Sequence, residues 1–399
     1  MNRLWVSGRR GRRFKSCHPD FGGASEAGPA EVSFWSAPFG PAGPTRERSF
    51  PSPLSDCSAV PADDTTLPPY DDHPAPPDLL VAALYRFADL GRGRGAHELL
   101  RQPILAFMRE QHVRGTLLLS QEGINGTVAG PDSGVGALVE FLKDDPIFDG
   151  LLADLQPSFS RVATQPFKRT KVRLKREIVT MGVDGIDPTQ HAGTYVEPQD
   201  WNALIDRDDV LLVDTRNRYE YDVGTFRTAD GRAASDPQTS SFREFPAYVD
   251  AALDPARHKK VAMFCTGGIR CEKATAYLKQ QGFEDVFHLR GGILEYLETI
   301  PEAESRWQGE CFVFDDRVAV GHDLGVGSHV LCYGCRFPVS RSQQSDPRYQ
   351  FGVSCPRCHA ALSEDRRHRL EERHRQVEIA EARGEEHLGD RATEFENEL

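Results

Sequence analysis

The sequence lacks any run of about 18 apolar residues, the length that a helix needs to cross a bilayer. It also shows no internal repeats, and its net charge of −12 disfavours non-specific binding to polyanions. These absences favour a soluble protein without a membrane span. The 399 residues exceed one ordinary core, and at about 100–200 residues per domain they predict two or three domains.

The nine cysteines are not spaced like a secreted disulfide scaffold. They stand at Cys17, Cys57, Cys265, Cys271, Cys311, Cys332, Cys335, Cys355 and Cys358. Two Cys-x-x-Cys pairs and a cysteine before a Gly-Gly pair indicate metal binding and reactive-thiol chemistry instead. A reducing compartment fits this usage best, so we expect the protein to be cytoplasmic.

Residues 1–77 are rich in Pro and Gly, begin Arg-rich and lack a periodic apolar pattern, which predicts disorder. Two other interpretations stay open. The Arg-rich opening is typical of a mitochondrial transit peptide, although no clear amphipathic repeat accompanies it. Alternatively, the start codon is assigned too far upstream, so that untranslated sequence is read as protein.

Residues 78–183 predict a first domain with the order strand, helix, two strands, helix, strand. The expected elements are strands at 79–87, 115–120, 124–129 and 171–179, and helices at 98–112 and 134–143. This order is that of a ferredoxin-like, split βαβ fold.

Residues 194–302 predict a second domain in which short apolar strands alternate with helices, the pattern of a parallel sheet covered on both faces. The strands are expected at 210–215, 259–264 and 286–289, and the helices at 272–281 and 292–298. Catalytic groups in such sheets belong at the carboxyl ends of the strands, where Asp214 and Cys265 stand.

The loop that follows the strand at 259–264 carries the strongest functional signal. It comprises Cys265, Thr266, Gly267, Gly268, Ile269 and Arg270. Backbone N–H groups and a helix N-terminus around a thiol lower its pKa, and we expect Arg270 to add a cation at the rim. The thiolate could hold a persulfide sulfur or attack an electrophile. A buried strand-end cysteine beside a Gly turn is the plain structural alternative.

Loop length separates two chemistries. Tyrosine-phosphatase loops place five residues between Cys and Arg, whereas four separate Cys265 from Arg270, so sulfane sulfur fits better than phosphate. With Val213-Asp214-Thr215-Arg216 and Glu220, the loop makes residues 195–300 resemble a rhodanese domain. That resemblance implies that Asp214 orients the loop, so we assign Asp214 and Arg216 a supporting role. Cys271 is either a resolving cysteine for Cys265 or a small residue in the first helical turn.

A basic segment that includes the start of the first domain's last predicted strand carries six positive charges within ten residues. They are Lys168, Arg169, Lys171, Arg173, Lys175 and Arg176. On a strand, Lys171, Arg173 and Lys175 share one face, while Val172 and Leu174 point into the core. Such a row suits the phosphates of a nucleic acid, and RNA is favoured over a merely solvated sheet face. No aromatic RNA-recognition signature accompanies it.

Residues 303–362 predict a small metal-binding module. Cys332 and Cys335 are separated by nineteen residues from Cys355 and Cys358, which matches two knuckles that close one tetrahedral zinc site. Four thiolates leave no open coordination position, so this zinc would be structural. A pair of redox dithiols is the alternative, and His359 could compete as a ligand. Residues 363–399 predict a charged tail, either helical or disordered.

Four further motifs in one order make residues 79 to about 359 closely resemble the rhodanese-domain tRNA uridine(34) hydroxylase family. They are 121–127, the basic stretch 167–182, 265–273 and 307–315. The resemblance implies that the wobble uridine of certain tRNAs is converted to 5-hydroxyuridine with dioxygen, with Cys265 at the active site. The residues themselves do not predict hydroxylation, since no flavin, haem or non-haem iron motif is evident.

Two other functions stay open. Cys265 could carry persulfide sulfur to an acceptor, as a sulfurtransferase does, or the chain could be a non-enzymatic RNA-binding adaptor whose zinc module docks a partner. The sequence does not assign the reductant, the set of tRNAs or the oligomeric state.

Overall fold

The computed structural model describes residues 78–91 and 96–384. The predictions for residues 1–77, with Cys17 and Cys57, and for the end of the tail lie outside the described residues. The first domain consists of β1 (Leu79–Phe87), α1 (Ala96–Leu99), α2 (Arg101–Glu110), β2 (Arg114–Ser120), β3 (Gly123–Gly130), α3 (Asp132–Asp144), β4 (Ser158–Val162) and β5 (Thr170–Leu174). A short 3₁₀ helix, Pro146–Phe148, follows α3.

The five strands form one sheet in the order β4-β1-β3-β2-β5. The first four strands have the predicted ferredoxin-like arrangement, which is thereby confirmed. The predicted closing strand at 171–179 was wrong, because β4 closes the motif beside β1 and was missed. Its sequence, Ser-Phe-Ser-Arg-Val, is short and half polar, so its apolar signal is weak.

The basic segment instead forms β5, a fifth strand that runs parallel to β2 and ends at Leu174. Val172 packs into the core beneath the sheet as predicted. Leu174, which was expected to do the same, is 38% exposed because the strand ends there.

One face of this sheet is buried against the helices, while the opposite face carries a small apolar cluster around Val81 and is otherwise open. Alternate residues of β1, such as Ala82 and Leu84, pack with Ile104 and Met108 of α2 into the core. Since side chains alternate along a strand, their neighbours Ala83 and Tyr85 point from the opposite face. That open face becomes one wall of the site described below.

The second domain carries a parallel sheet, as predicted. Its strands lie in the order β6-β10-β9-β7. Its elements are α4 (Pro188–His191), β6 (Thr194–Val196), α5 (Pro198–Ile205), β7 (Val210–Asp214), α6 (Arg218–Tyr221), β8 (Gly224–Phe226), α7 (Phe245–Ala252), β9 (Lys260–Phe264), α8 (Ile269–Gln280), β10 (Asp285–Leu289) and α9 (Gly292–Thr299). Separate apolar clusters cover the two faces, one around Trp201 and Phe264 and the other around Met263 and Phe245. Burial on both faces explains why these strands read as continuous apolar runs.

The C-terminal region is built of short strands and helices. They are β11 (Trp307–Gly309), β12 (Cys311–Phe312), β13 (Ala319–Val320), β14 (Val330–Leu331), β15 (Pro338–Val339), α10 (Arg341–Gln344) and α11 (Glu364–Ala382). Three 3₁₀ turns of this region occupy Glu302–Glu304, His322–Leu324 and His359–Ala361, and a further one, Phe242–Glu244, precedes α7 in the second domain. β11 pairs with β8, which fastens this region to the second domain.

The charged tail forms helix α11 as far as Ala382. Ser363 caps the helix by accepting a hydrogen bond from the Arg366 backbone N–H. The Arg366 side chain donates to the carbonyl of Gly334, so the helix is held against the cysteine module. Among the described residues, no helix combines the length and the apolar character needed to cross a membrane.

Candidate active site

Cys265 lies directly after β9, at the carboxyl end of the parallel sheet. Gly268 takes a φ of +101°, which turns the chain into α8, and its backbone N–H donates to the Cys265 sulfur at 3.1 Å. A residue with a side chain is strained in this conformation, which is why the turn requires glycine. The sequence therefore predicted the local geometry of the loop from its Gly-Gly pair.

The surroundings of Cys265 favour its thiolate. Burial opposes ionisation, but a hydrogen bond from the Cys271 thiol, the charge of Arg270 and the N–H groups of residues 270 and 271 outweigh it. Together they lower the pKa of Cys265 to about 6. A thiolate therefore predominates at neutral pH.

Arg270 does not lie at the rim of the loop, where it was expected, but is 8% exposed and paired with a carboxylate. Its two terminal nitrogens each donate to a Glu220 oxygen at 2.7 Å, and one also donates to Thr266 at 3.2 Å. The charge of Arg270 outweighs burial and lowers the pKa of Glu220. The pair fixes the loop against α6, a role that the sequence did not assign to Glu220.

A second helix supports the loop from the other side. The backbone N–H groups of Ile293 and Leu294, in the first turn of α9, donate to the carbonyls of Cys265 and Thr266. Gly292 has a φ of +65°, and a side-chain carbon there would lie 2.5 Å from the Cys265 carbonyl oxygen. The sequence reasoning missed this contact, although the Gly291-Gly292 pair after a strand was a signal for it.

Asp214 and Arg216 form a buried pair of their own. Two nitrogens of Arg216 donate to Asp214 at 2.9 and 2.6 Å, and Thr225 donates to the same carboxylate. Thr215, between them, donates to the Phe264 carbonyl at 3.0 Å and contacts the Cys271 sulfur at 3.5 Å. Support for the loop thus comes through Thr215, next to the two residues that the sequence singled out.

Cys271 is fully buried in the first turn of α8. Burial, followed by the hydrogen bond to Cys265 and the charge of Cys265, raises the pKa of Cys271 well above its ordinary value. Cys271 is therefore the protonated member of the pair and donates to Cys265. This proximity is what a resolving cysteine requires, and that role stays a prediction.

The first domain reaches into the site through Tyr85 of β1. Its hydroxyl donates to Glu272 at 2.7 Å. A side-chain carbon at Gly268 would lie 2.7 Å from the Tyr85 hydroxyl oxygen. Tyr195 of β6 faces Glu272 as well. The residue after Cys271 is thus bonded to one tyrosine and faces a second from the other domain, an arrangement that the sequence did not predict.

Cys265 opens into a cavity of about 1410 Å³ between the open face of the first sheet and the carboxyl ends of β9 and β10. Tyr85, Asn125 and Thr127 project into the cavity from the sheet. Phe314, 60% exposed, projects from the C-terminal region. The cavity is large enough for a nucleotide and combines polar groups with aromatic surface.

An ionic cluster joins the two domains beside this cavity. The Lys273 ammonium, on an almost completely buried side chain of α8, contacts Glu122 at 2.8 and 3.0 Å and Glu177 at 2.7 Å. Glu122 also accepts from the backbone N–H of Ile178 at 2.6 Å. Glu122 comes from the 121–127 turn and Lys273 ends the 265–273 motif, so two motifs of the resemblance meet here.

The basic strand β5 continues the cavity wall. In the parallel register, Lys171 pairs with Thr116 and Arg173 pairs with Leu118, two residues that line the cavity. Paired residues of adjacent strands point from the same face, so Lys171 and Arg173 extend the wall. Lys168, Arg173, Lys175 and Arg176 are exposed, whereas Arg169 and Lys171 are partly buried.

The four cysteines of the C-terminal module converge, with their sulfur atoms within 4.8 Å of one another. The sulfur of Cys332 lies 3.7 Å from that of Cys358, and the sulfur of Cys335 lies 3.7 Å from that of Cys355. A tetrahedral zinc with bonds of about 2.3 Å separates its sulfur ligands by about 3.8 Å. The cluster therefore could hold a metal ion, and His359 is not part of it.

Two family models match the described domains. Residues 79–178 match the UPF0176 acylphosphatase-like domain, and residues 197–299 match the rhodanese-like domain. The chain is therefore a rhodanese-like protein that carries an acylphosphatase-like domain in front of the reactive loop.

The curated relatives define the family more closely. The chain is 53% identical over 315 residues to the tRNA uridine(34) hydroxylase of Teredinibacter turnerae (strain ATCC 39867 / T7901), covering 79% of this chain and 94% of the relative. The chain belongs to the tRNA uridine(34) hydroxylase family, as the resemblance predicted.

Solved structures match single domains. A rhodanese-like domain from Anabaena is 17% identical and covers 29% of this chain and 78% of its own, with a TM-score of 0.22. An acylphosphatase from Coxiella burnetii is 11% identical and covers 24% and 93%, with a TM-score of 0.17. At these TM-scores the two structures carry no inference about the site.

Proposed function

We propose that this protein hydroxylates C5 of the wobble uridine of tRNA, with Cys265 as the active-site thiolate. The observation that carries the proposal is the position of Cys265 at the bottom of a nucleotide-sized cavity whose opposite wall continues into the basic strand β5. The relative from Teredinibacter turnerae bears the name of this activity.

The site residues have distinct roles in this proposal. Gly268 and the first turn of α8 stabilise the thiolate, while Glu220 and Arg270 keep the loop rigid. Thr266, Gly267 and Ile269 complete the loop that faces the cavity. The cations of β5 and its flanks bind the phosphates of the anticodon arm. Uridine can enter the cavity only if it is turned out of the anticodon stack, which costs a few kcal/mol at most in a single-stranded loop.

Dioxygen is the proposed co-substrate, and a separate reductant supplies two electrons. The Cys332, Cys335, Cys355 and Cys358 cluster is proposed to hold a structural zinc, since four thiolates fill its tetrahedral coordination. The zinc would order the C-terminal region, which contributes Phe314 to the cavity. Because tRNA is the substrate, we place the activity in the cytoplasm.

The decisive experiment measures 5-hydroxyuridine-derived nucleosides by mass spectrometry in tRNA from a strain that lacks this gene. The wild-type gene should restore them, and Cys265→Ser should not, because serine does not ionise near neutral pH. Cys311→Ala is the matched control, since Cys311 is equally buried but lies outside the loop. Full restoration by Cys265→Ser would contradict the catalytic role and favour an RNA-binding adaptor.

A sulfurtransferase is the second candidate, because the short loop and the Gly268 N–H at 3.1 Å from the sulfur also suit a persulfide. Purified protein would then cleave thiosulfate in the presence of cyanide. Cleavage together with unaltered tRNA nucleosides in the deletion strain would favour this candidate.

A further inference from the structure

Glu272 stands out among the carboxylates around Cys265 because tyrosines hold it. It lines the cavity that Cys265 opens into, accepts from Tyr85 at 2.7 Å and faces Tyr195. By contrast, Glu220 is paired with Arg270, and Glu122 is paired with Lys273. Within the described residues, Glu272 has no ion pair.

The titratable and charged groups that face Glu272 come from three elements. Tyr85 and Arg86 lie on β1, Tyr195 lies on β6, and Cys265 follows β9. Burial raises the pKa of Glu272, and the charge of Cys265 adds to this, while the two tyrosine hydroxyls and Arg86 oppose it. A carboxylate with a raised pKa, free of an ion pair and facing the cavity, is equipped to accept a proton.

We propose that Glu272 is the base that removes the C5 proton of the uracil ring, and that Tyr85 and Tyr195 position its carboxylate. The proposal rests on the proposed function, since it concerns the hydroxylation itself. It assigns the acylphosphatase-like domain a part in catalysis, because Tyr85 belongs to that domain.

The chemistry of the substitution requires such a base. Dioxygen takes two electrons and two protons from an external dithiol, which is oxidised to a disulfide, and so becomes hydrogen peroxide. One peroxide oxygen then bonds to C5 through the C5=C6 π pair, while the O–O bond breaks and the second oxygen takes up a proton and leaves as water. C5 is then tetrahedral and carries both the new hydroxyl and its original hydrogen. When Glu272 takes that hydrogen as a proton, the C5–H pair re-forms the C5=C6 bond. One proton later returns from Glu272 to solvent.

The geometry makes Glu272 a better candidate than the cysteines. The Cys265 sulfur is engaged by the Gly268 N–H, and Cys271 is buried and protonated. Glu272 is adjacent in sequence to Cys271 but lines the cavity, so it is open to a substrate that the buried Cys271 cannot reach.

The test expresses variants in the deletion strain in two parallel cultures, one fed uracil and the other [5-²H]uracil. Anticodon fragments are then analysed by mass spectrometry for the rate of conversion in each culture. Glu272→Gln preserves the side-chain size but cannot accept the proton. Conversion should fall about 10²–10⁴-fold, the usual contribution of a positioned base. The ratio of the two conversion rates should be larger than with the wild type, since C5–H cleavage becomes limiting.

Tyr85→Phe tests positioning by a different readout. Loss of one hydrogen bond that stabilises the ionised carboxylate raises the pKa of Glu272, so the acid limb of the pH–activity profile of the purified full chain should shift to higher pH. Glu298→Gln, at another carboxylate that lines the cavity, should change neither the profile nor the isotope effect on conversion. Circular dichroism establishes that each variant is folded.

The outcomes separate the two proposals. If the wild-type gene restores no 5-hydroxyuridine, the proposed function fails. If it does, and Glu272→Gln converts uridine at the wild-type rate with no larger isotope effect, the assignment of the base is overturned. Should Glu272→Gln fail to fold, an unshifted profile together with an unchanged isotope effect for Tyr85→Phe overturns it instead.

Discussion

The reactivity of Cys265 depends on groups that lie within a few residues of it in the chain. The Gly268 N–H, the Cys271 thiol and the Arg270 charge all stabilise the thiolate, and all follow from one strand-to-helix turn. Glu220 is the exception, since it lies in α6 and holds Arg270 in place. A single loop therefore contains most of the electrostatics of the nucleophile.

Alkylation of Cys265 by iodoacetamide should be half-maximal near pH 6. The folded protein lowers this pKa, so the thiolate is present above pH 6 and is lost as the pH falls through that value. Peptide-resolved mass spectrometry measures the rate, with Cys311 as an internal control, because burial raises its pKa to about 12. Cys271→Ala should move the midpoint upward by removing a hydrogen bond to the thiolate. A wild-type midpoint near pH 8.5, the ordinary value, would contradict the electrostatic description.

Among the elements, β5 has the most unusual position. It is an edge strand added to a ferredoxin-like sheet. Because it pairs in parallel with β2, Lys171 and Arg173 lie on the same face of the sheet as the residues that line the cavity. An exposed cationic edge also discourages pairing with another chain. The same charges would therefore serve the proposed RNA binding and also protect the edge of the sheet.

Reversing two charges of this strand should weaken tRNA binding. Arg173→Glu with Lys175→Glu removes up to two phosphate contacts, so the slope of log affinity against log salt should fall by about 0.7–0.9 per contact. Filter binding over a salt series measures the slope. Lys259→Glu is the matched control, because Lys259 is exposed next to the amino end of β9, opposite Cys265. An unchanged slope in the double variant would mean that β5 is only a solvated surface.

At the scale of the whole molecule, the shape of the cavity depends on how the two domains are joined. Lys273 contacts Glu122 and Glu177 beside the Tyr85–Glu272 contact, so the ionic cluster sets the position of one cavity wall relative to the other. Interfaces between domains of one chain are often mobile unless such contacts hold them.

Lys273→Met should lower the free energy of unfolding by about 3–5 kcal/mol, because it leaves two partly buried carboxylates without their cation. Urea unfolding followed by fluorescence measures the loss. Lys279→Met, an exposed position of the same helix, should change stability by less than about 0.5 kcal/mol. Equal stability of the two variants would show that the cluster does not hold the domains together.

The amino-acid sequence predicted what depends on short spacing. The sequence predicted the Cys265 loop, each short apolar strand of the second domain, and the two Cys-x-x-Cys pairs, Cys332 with Cys335 and Cys355 with Cys358. Each of these features is formed by residues close in the chain. The strand β4 was missed because five half-polar residues carry little periodic signal, and β5 was misplaced as the closing strand for that reason.

By itself, the sequence determined the fold class and, through resemblance, the family, and it predicted Cys265 as the active-site thiolate. Only the tertiary structure decided which side chains surround the cavity. Tyr85 and Glu272 are 187 positions apart, and Glu122 and Lys273 are 151 apart. Local spacing carries no information about such pairs, because they meet only when two separately folded sheets pack against each other.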